Sequence, residues 1–281
     1  MPKTVAPNGK FPLMCPTFRV RPAPIRFLLV PAFLFAFTCA TQADFNVVWP
    51  QPVLPPGSVE ATTPVPRLGW IERYLTNLDK LKAGPYDLIL DGDSITDLWQ
   101  TTGRDVWKAH FGAIKMADLA IAGDAVQHVL WQVQHGELAG QDPKLIMLLI
   151  GTNNSNEDPK EVADGIKLLL NEYETRCPDA HILLLGVFPR GASPQDPLRA
   201  WVTKFNAMIS TYDDGKRVTY LDIGAKFLQP DGSLTKDIMQ PPFFLHPTVK
   251  GYEIWADAIQ PVIDKYFPSA SASTPPPAPT Q

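Results

Sequence analysis

The sequence predicts an α/β fold: a parallel sheet covered on both faces by helices. Three observations carry this. Short apolar runs alternate with stretches of helical periodicity between residues 67 and 267. The apolar runs are continuous, as in strands buried on both faces. The strand–helix order then repeats along the whole segment, which is the pattern of a layered α/β domain.

The elements follow in order. Trp70 to Leu81 has helical character and leads into the first strand. The apolar runs are Asp87–Leu90, Lys115–Ile121, Leu145–Ile150, His181–Val187 and Val218–Leu221. Between them, Val126, Val129, Leu130 and Val133 fit one helix face. Val162, Ile166, Leu169 and Tyr173 fit a second, and Val202, Phe205 and Ile209 a third. Residues 249–263 close the domain, with Val249, Tyr252, Trp255, Ile259 and Ile263 at helical spacing. No internal repeat is present.

The flanks are of another kind. Of 30 prolines, 13 precede residue 67 and five follow residue 267, so the globular part is 67–267. In residues 1–43, Arg19, Arg21 and Arg26 precede an apolar run from Phe27 to Phe37, and small residues follow to Ala43. That order predicts a secretory signal cleaved near Ala43, hence a periplasmic or secreted protein. The run is shorter than the roughly 20 residues of a membrane span. An N-terminal anchor that is never cleaved is the other reading. Residues 44–66 are a Pro-rich, extended lead-in, and 268–281 are a low-complexity Pro/Ser/Ala tail that cannot bury a core. Of three cysteines, Cys15 and Cys39 precede the predicted cleavage point. Cys177 alone remains, so the mature chain is expected to hold no intrachain disulfide and no cysteine-based metal site. The net charge of −4 gives no support for nucleic-acid binding. No integral membrane partner is evident.

In an open α/β sheet the site lies beyond the carboxyl ends of the strands. Gly92-Asp93-Ser94-Ile95 follows the first strand, Ala122-Gly123-Asp124 the second and Gly151-Thr152-Asn153-Asn154 the third. Serine acyl transfer needs a nucleophile, a base and oxyanion donors. Ser94 stands at a strand-to-helix turn, as a nucleophile or as a helix N-cap. Gly123 offers a backbone N–H to an oxyanion, or is a tight-turn glycine. Asn153 is a side-chain donor or a turn residue. His110, His128 and His135 fall in helical patterns and His181 opens a strand. Only His246 lies in a loop at the site end, which makes it the candidate base.

Together these blocks resemble the SGNH hydrolases, also called the GDSL esterase/lipase family. Gly92-Asp93-Ser94-Ile95-Thr96 matches the first block, Gly123 the second, Gly151-Thr152-Asn153-Asn154 the third and His246 the last. More narrowly, the chain resembles the catalytic subunits of platelet-activating factor acetylhydrolase IB. That likeness is carried by Ile121-Ala122-Gly123-Asp124, His128-Val129-Leu130-Trp131, Gly136-Glu137-Leu138, Pro189-Arg190-Gly191 and Phe244-Leu245-His246. The resemblance implies a flavodoxin-like, three-layer α/β/α sandwich and a serine esterase without metal or cofactor. It implies Ser94 as nucleophile, His246 as base, and an oxyanion hole from the N–H groups of Ser94 and Gly123 and the amide of Asn153. Short acyl esters, acetyl above all, are the implied substrates, and members of this type often form homodimers.

One departure stands out. The family pattern D-x-x-H places an acid three residues before the histidine, and here that residue is Phe243. Three readings follow: a backbone carbonyl or another acid, Asp237 or Asp231, orients His246; the enzyme runs as a weak Ser–His dyad; or catalysis is lost and a carbohydrate- or lipid-binding pocket is kept. The expectation is an exported esterase acting on a small-molecule or polysaccharide acyl ester, with a lysophospholipase or thioesterase as the alternative among enzymes.

Overall fold

The computed structural model describes residues 58–268. The predicted signal, most of the lead-in, residues 269–281, Cys15 and Cys39 lie outside the described residues. The chain forms five strands: β1 (Leu88–Gly92), β2 (Met116–Asp118), β3 (Leu145–Leu149), β4 (His181–Leu185) and β5 (Val218–Leu221). All pair in parallel, in the order β2-β1-β3-β4-β5, the doubly wound order of flavodoxin-like sheets.

Alternate residues of each strand feed two cores, the reason the strands read as unbroken apolar runs. Ile89, Ile146, Leu148, Ile182 and Leu184 face one layer of helices. These are α4 (Val126–Gln134), α5 (Pro159–Arg176) and α6 (Pro197–Ile209). Leu88, Leu90, Leu145, Met147, Leu149, Leu183 and Leu185 face the other, α3 (Arg104–Phe111) and α7 (Val249–Tyr266). Two further helices are α1 (Ile71–Leu81) and the short α2 (Ser94–Asp97). The starts of α5 and α6 are set by sequence. Asp158 and Asp196 accept from the backbone N–H two residues on, at 2.7 and 2.9 Å, and a proline takes the first helical position of each.

The strand boundaries differ from the apolar runs for visible reasons. β2 stops at Asp118, whose carboxylate turns back to accept from Ala120 N at 3.0 Å. β4 stops before Val187 because Asn206 of α6 takes over that residue's N–H and C=O, both at 2.9 Å. Val249 differs from its predicted face: it opens α7 and is 51% exposed, whereas Tyr252, Trp255 and Ile259 are fully buried. The last residues of the lead-in pack on the domain. Ala61 is fully buried, its N–H donates to Glu157 at 3.1 Å, and a Cβ on Gly165 of α5 would collide with the Ala61 carbonyl. No helix among the described residues is long and apolar enough to cross a membrane.

The layer around β1, β2 and α4 buries several acids. Burial pushes Asp93 and Asp124 up to about 7, and Asp118 and Glu137 well above the carboxylate range. A raised native pKa means that the folded chain binds more protons than the unfolded one, so stability falls as pH rises through it. Burial holds His128, His181 and His246 below their ordinary value and works the other way, but mostly below pH 7. The expected outcome is a Tm that drops from about pH 6.5, where the histidines no longer contribute, to about pH 7.5, where Asp93 and Asp124 have ionised in the fold. A flat or rising Tm over that window in calorimetry would show that these carboxyls are ionised in the fold.

Candidate active site

β1 lies between β2 and β3, so the loops after these three strands open on one crevice at the carboxyl edge of the sheet. Gly92 ends β1 at φ +152°, and a Cβ there would strike the Leu149 carbonyl. Glycine is therefore required for β1 to pass β3 this closely. Asp93 follows and caps α2, accepting from Ile95 N at 2.9 Å. The capping role thus belongs to Asp93, and Ser94 is left free at the first helical position.

Ser94 Oγ lies 2.8 Å from His246 Nε2, although 152 residues separate them. His246 is held through its backbone. Its carbonyl accepts from Gln240 N at 2.8 Å, and the neighbouring Pro247 carbonyl accepts from Gln240 Nε2 at 2.8 Å. Phe244, two residues before it, has φ +47°, the only described non-glycine residue in the left-handed region. Burial, and then the nearby charge of Arg190, hold the His246 pKa below its ordinary value. The imidazole is therefore neutral near pH 7 and able to take the Ser94 proton.

Gly123 and Asn153 reach the same crevice. Gly123 has φ +83°, and neither its N–H nor that of Ser94 has an acceptor among the described residues. Asn153 is exposed and donates through Nδ2 to the Asp124 carbonyl at 2.7 Å, which leaves the second amide proton for a ligand. The adjacent Asn154 differs: it is buried, accepts from Val126 N at 3.0 Å and ties this loop to α4. Arg190 donates to the carbonyl and hydroxyl of Thr152 at 3.3 and 3.2 Å.

The structure does not bring a substitute acid to His246. Asp237 is bound to Lys250 at 2.8 Å and to the Thr235 hydroxyl, and these bonds hold its pKa down at about 2. Asp231 accepts from Ser233 N at 2.9 Å in a local turn. Phe243 is 72% exposed and its carbonyl accepts from Gly191 N at 3.2 Å. Among the described residues, no carboxylate pairs with His246, and Ser94 is the ring's only hydrogen-bond partner. The other histidines have structural contacts: His128 Nδ1 accepts from Ala125 N at 2.9 Å, and His181 stacks on Tyr266 at 4.8 Å.

Sequence reasoning missed Arg67. It stands at the border of the lead-in, yet its guanidinium donates to the Ala122 carbonyl and lies 3.4 Å from Asp124 Oδ1. No spacing or periodicity marks it. Asp124 carried the only hint, as a buried acid after β2 that needs a cation.

Comparison with known proteins agrees with this geometry. Residues 92–254 match the model of the GDSL-like lipase/acylhydrolase family. The alpha2 subunit of platelet-activating factor acetylhydrolase IB from Rattus norvegicus is 36% identical over 184 residues, which cover 65% of this chain and 78% of the relative. The Homo sapiens alpha2 subunit is 35% identical over the same spans. Among solved structures, a GDSL-like lipase from Bacteroides thetaiotaomicron superposes with a TM-score of 0.56 at 18% identity, covering 69% of this chain and 97% of that one. An acetylxylan esterase from Geobacillus stearothermophilus gives 0.52 at 17% identity, covering 64% and 94%. Both show the same α/β fold.

The His246 environment can be checked directly. Its ring resonances in an NMR titration should have a midpoint below 6.5, and Arg190→Gln should move that midpoint upward. A midpoint above 6.5 in the unmodified chain would reveal an acid beside the ring.

Proposed function

Because the chain belongs to the GDSL-like lipase/acylhydrolase family and is a hydrolase acting on esters, we propose that it removes a short acyl group, acetyl above all, through an acyl-enzyme on Ser94. The observation that carries this reading is the 2.8 Å contact between Ser94 Oγ and a neutral His246 Nε2. Ser94 attacks the ester carbonyl while His246 takes its proton and then gives it to the leaving alcohol. The tetrahedral oxygen is held by the N–H groups of Ser94 and Gly123 and the free amide proton of Asn153. Water, deprotonated by His246, releases the acid. Every step uses only groups of this chain, the ester and water.

One observation supports a short acyl group. The relatives at 35–36% identity are named acetylhydrolases. Export rests on the order of residues in 19–43. For an exported esterase an O-acetylated polysaccharide is the substrate we favour, and this choice rests on location alone.

Phe243 sets the expected rate. In serine proteases, neutralising the acid of the triad costs about 10⁴ in kcat, or about 5–6 kcal/mol of barrier. The present site is therefore a slow Ser–His dyad. Hydrolysis of p-nitrophenyl acetate should exceed that of the butyrate and vanish in Ser94→Ala. Equal background rates in both proteins would instead favour a binding protein built on an esterase fold. Asn153→Ala should lower kcat by about 10²–10³; an unchanged rate removes Asn153 from the oxyanion hole. Phe243→Asp should raise kcat at least about tenfold and shift the acid limb of the pH–rate profile upward, since a carboxylate stabilises the imidazolium. No gain would mean that the missing acid is not what limits the rate.

A further inference from the structure

Arg67 lies outside residues 92–254, the span that matches the family model, yet it reaches the turn after β2 that carries Gly123. Its Nη1 donates to the Ala122 carbonyl, 55 residues away in sequence. It also lies 3.4 Å from the fully buried Asp124 carboxylate. The guanidinium is seated over the Trp70 ring at 4.9 Å. It packs directly on Gly123, where an added Cβ would stand 2.7 Å from Nη1 and 2.9 Å from Cζ. Glycine is thus needed at 123 for its φ of +83° and to admit the guanidinium.

The Ala122 carbonyl and the Gly123 N–H are opposite ends of one peptide group. That group is planar, so a bond that holds the oxygen also aims the N–H. A charged donor on the oxygen draws electron density through the amide and makes its N–H a stronger donor. The permanent charge of an arginine also lies on the side of the crevice where negative charge develops.

We propose that Arg67 is a positioning residue for the oxyanion hole: it orients and polarises the Ala122–Gly123 peptide so that the Gly123 N–H stabilises the tetrahedral oxygen. This rests on the Ser94 acyl-enzyme reading above. Arg67 acts through the peptide and does not itself contact the reacting atoms.

The test uses the full chain and its Arg67→Ala, Arg67→Gln and Arg67→Lys variants, with Ser94→Ala as control. Steady-state kinetics on p-nitrophenyl acetate, Tm, and the inhibition constant of an alkyl trifluoromethyl ketone are measured for each. The ketone adds to Ser94 and places an oxyanion in the hole. Arg67→Ala should lower kcat about 10- to 100-fold, short of the 10²–10³ lost with a whole donor. KM should stay within about twofold, because the ester's ground-state carbonyl gains little from the hole. The inhibition constant should rise in parallel with the loss of kcat. Lysine, which can still donate to the Ala122 oxygen, should retain more activity than glutamine, and millimolar guanidinium should partly restore Arg67→Ala. A folded Arg67→Ala with unchanged kcat, or a loss of kcat without a matching weakening of the ketone, overturns the proposal. If Arg67→Ala does not fold, the lysine–glutamine comparison decides it: equal kcat in the two overturns it. Turnover that persists in Ser94→Ala brings down the serine-esterase reading instead.

Discussion

β1 is inserted between β2 and β3, and each feature of the crevice depends on that placement. The chain leaves the carboxyl ends of three neighbouring parallel strands within one small region. Ser94, Gly123 and Asn153 each stand a few residues beyond those ends, so the sheet fixes their separation before any side chain is considered. The close approach of β1 to β3 in turn demands Gly92. Ser94 is free because Asp93 takes the cap of α2. His246 comes from the far end of the domain. It is carried to Ser94 by α7, whose Tyr252 hydroxyl donates to the Ile95 carbonyl at 2.7 Å. Trp99 packs on Tyr252 at 4.4 Å and on Trp255 at 5.0 Å, joining α7 to the segment after α2.

The electrostatics of the crevice favour a neutral His246. The charged group that acts on His246 is Arg190, a cation, and burial adds to its effect. Both favour the neutral ring. The same burial pushes Asp93 and Asp124 up to about 7, which limits the negative charge they can return to the site. Arg67 and Arg190 border the crevice on the Gly123 and Thr152 sides. A crevice of this charge favours the oxyanion and disfavours the imidazolium. On the proposed Ser94 mechanism, such a crevice contributes more by holding the tetrahedral oxygen than by driving proton transfer.

Much of this was legible in the chain. Five parallel strands left apolar runs, and the polar clusters after them pointed to the crevice because parallel strands all end on one side. What was not legible depended on folding between distant segments. Asp237, six residues before Phe243, carries no sign of the direction its loop takes; Lys250 of α7 and Thr235 hold it away from His246. Arg67 sits where composition draws a domain border, and its partner is 55 residues away. The Asn206 bonds that end β4 join residues 19 apart on different elements, which no periodicity encodes.

The acid of a Ser–His–Asp triad does two separable things: it orients the ring in the right tautomer, and it stabilises the positive charge that forms. In this chain the backbone of His246 is held, but no described group binds its second ring nitrogen. The His246 carbonyl is fixed by Gln240 N, the Thr248 N–H donates to the Ile238 carbonyl at 2.9 Å, and Met239 and Pro247 form an antiparallel bridge across the loop. These contacts limit the backbone freedom that an acid would otherwise have to offset. No described group replaces the second part, because the charge nearest the ring in effect is positive. On the proposed Ser94 mechanism, the deficit left by Phe243 covers both the ring tautomer and the charge on the imidazolium. A group that lowers the demand on His246, by holding the oxyanion more firmly and so allowing an earlier proton transfer, compensates for the charge part better than tighter packing of the ring would. The Arg67–Ala122–Gly123 arrangement is placed to do that.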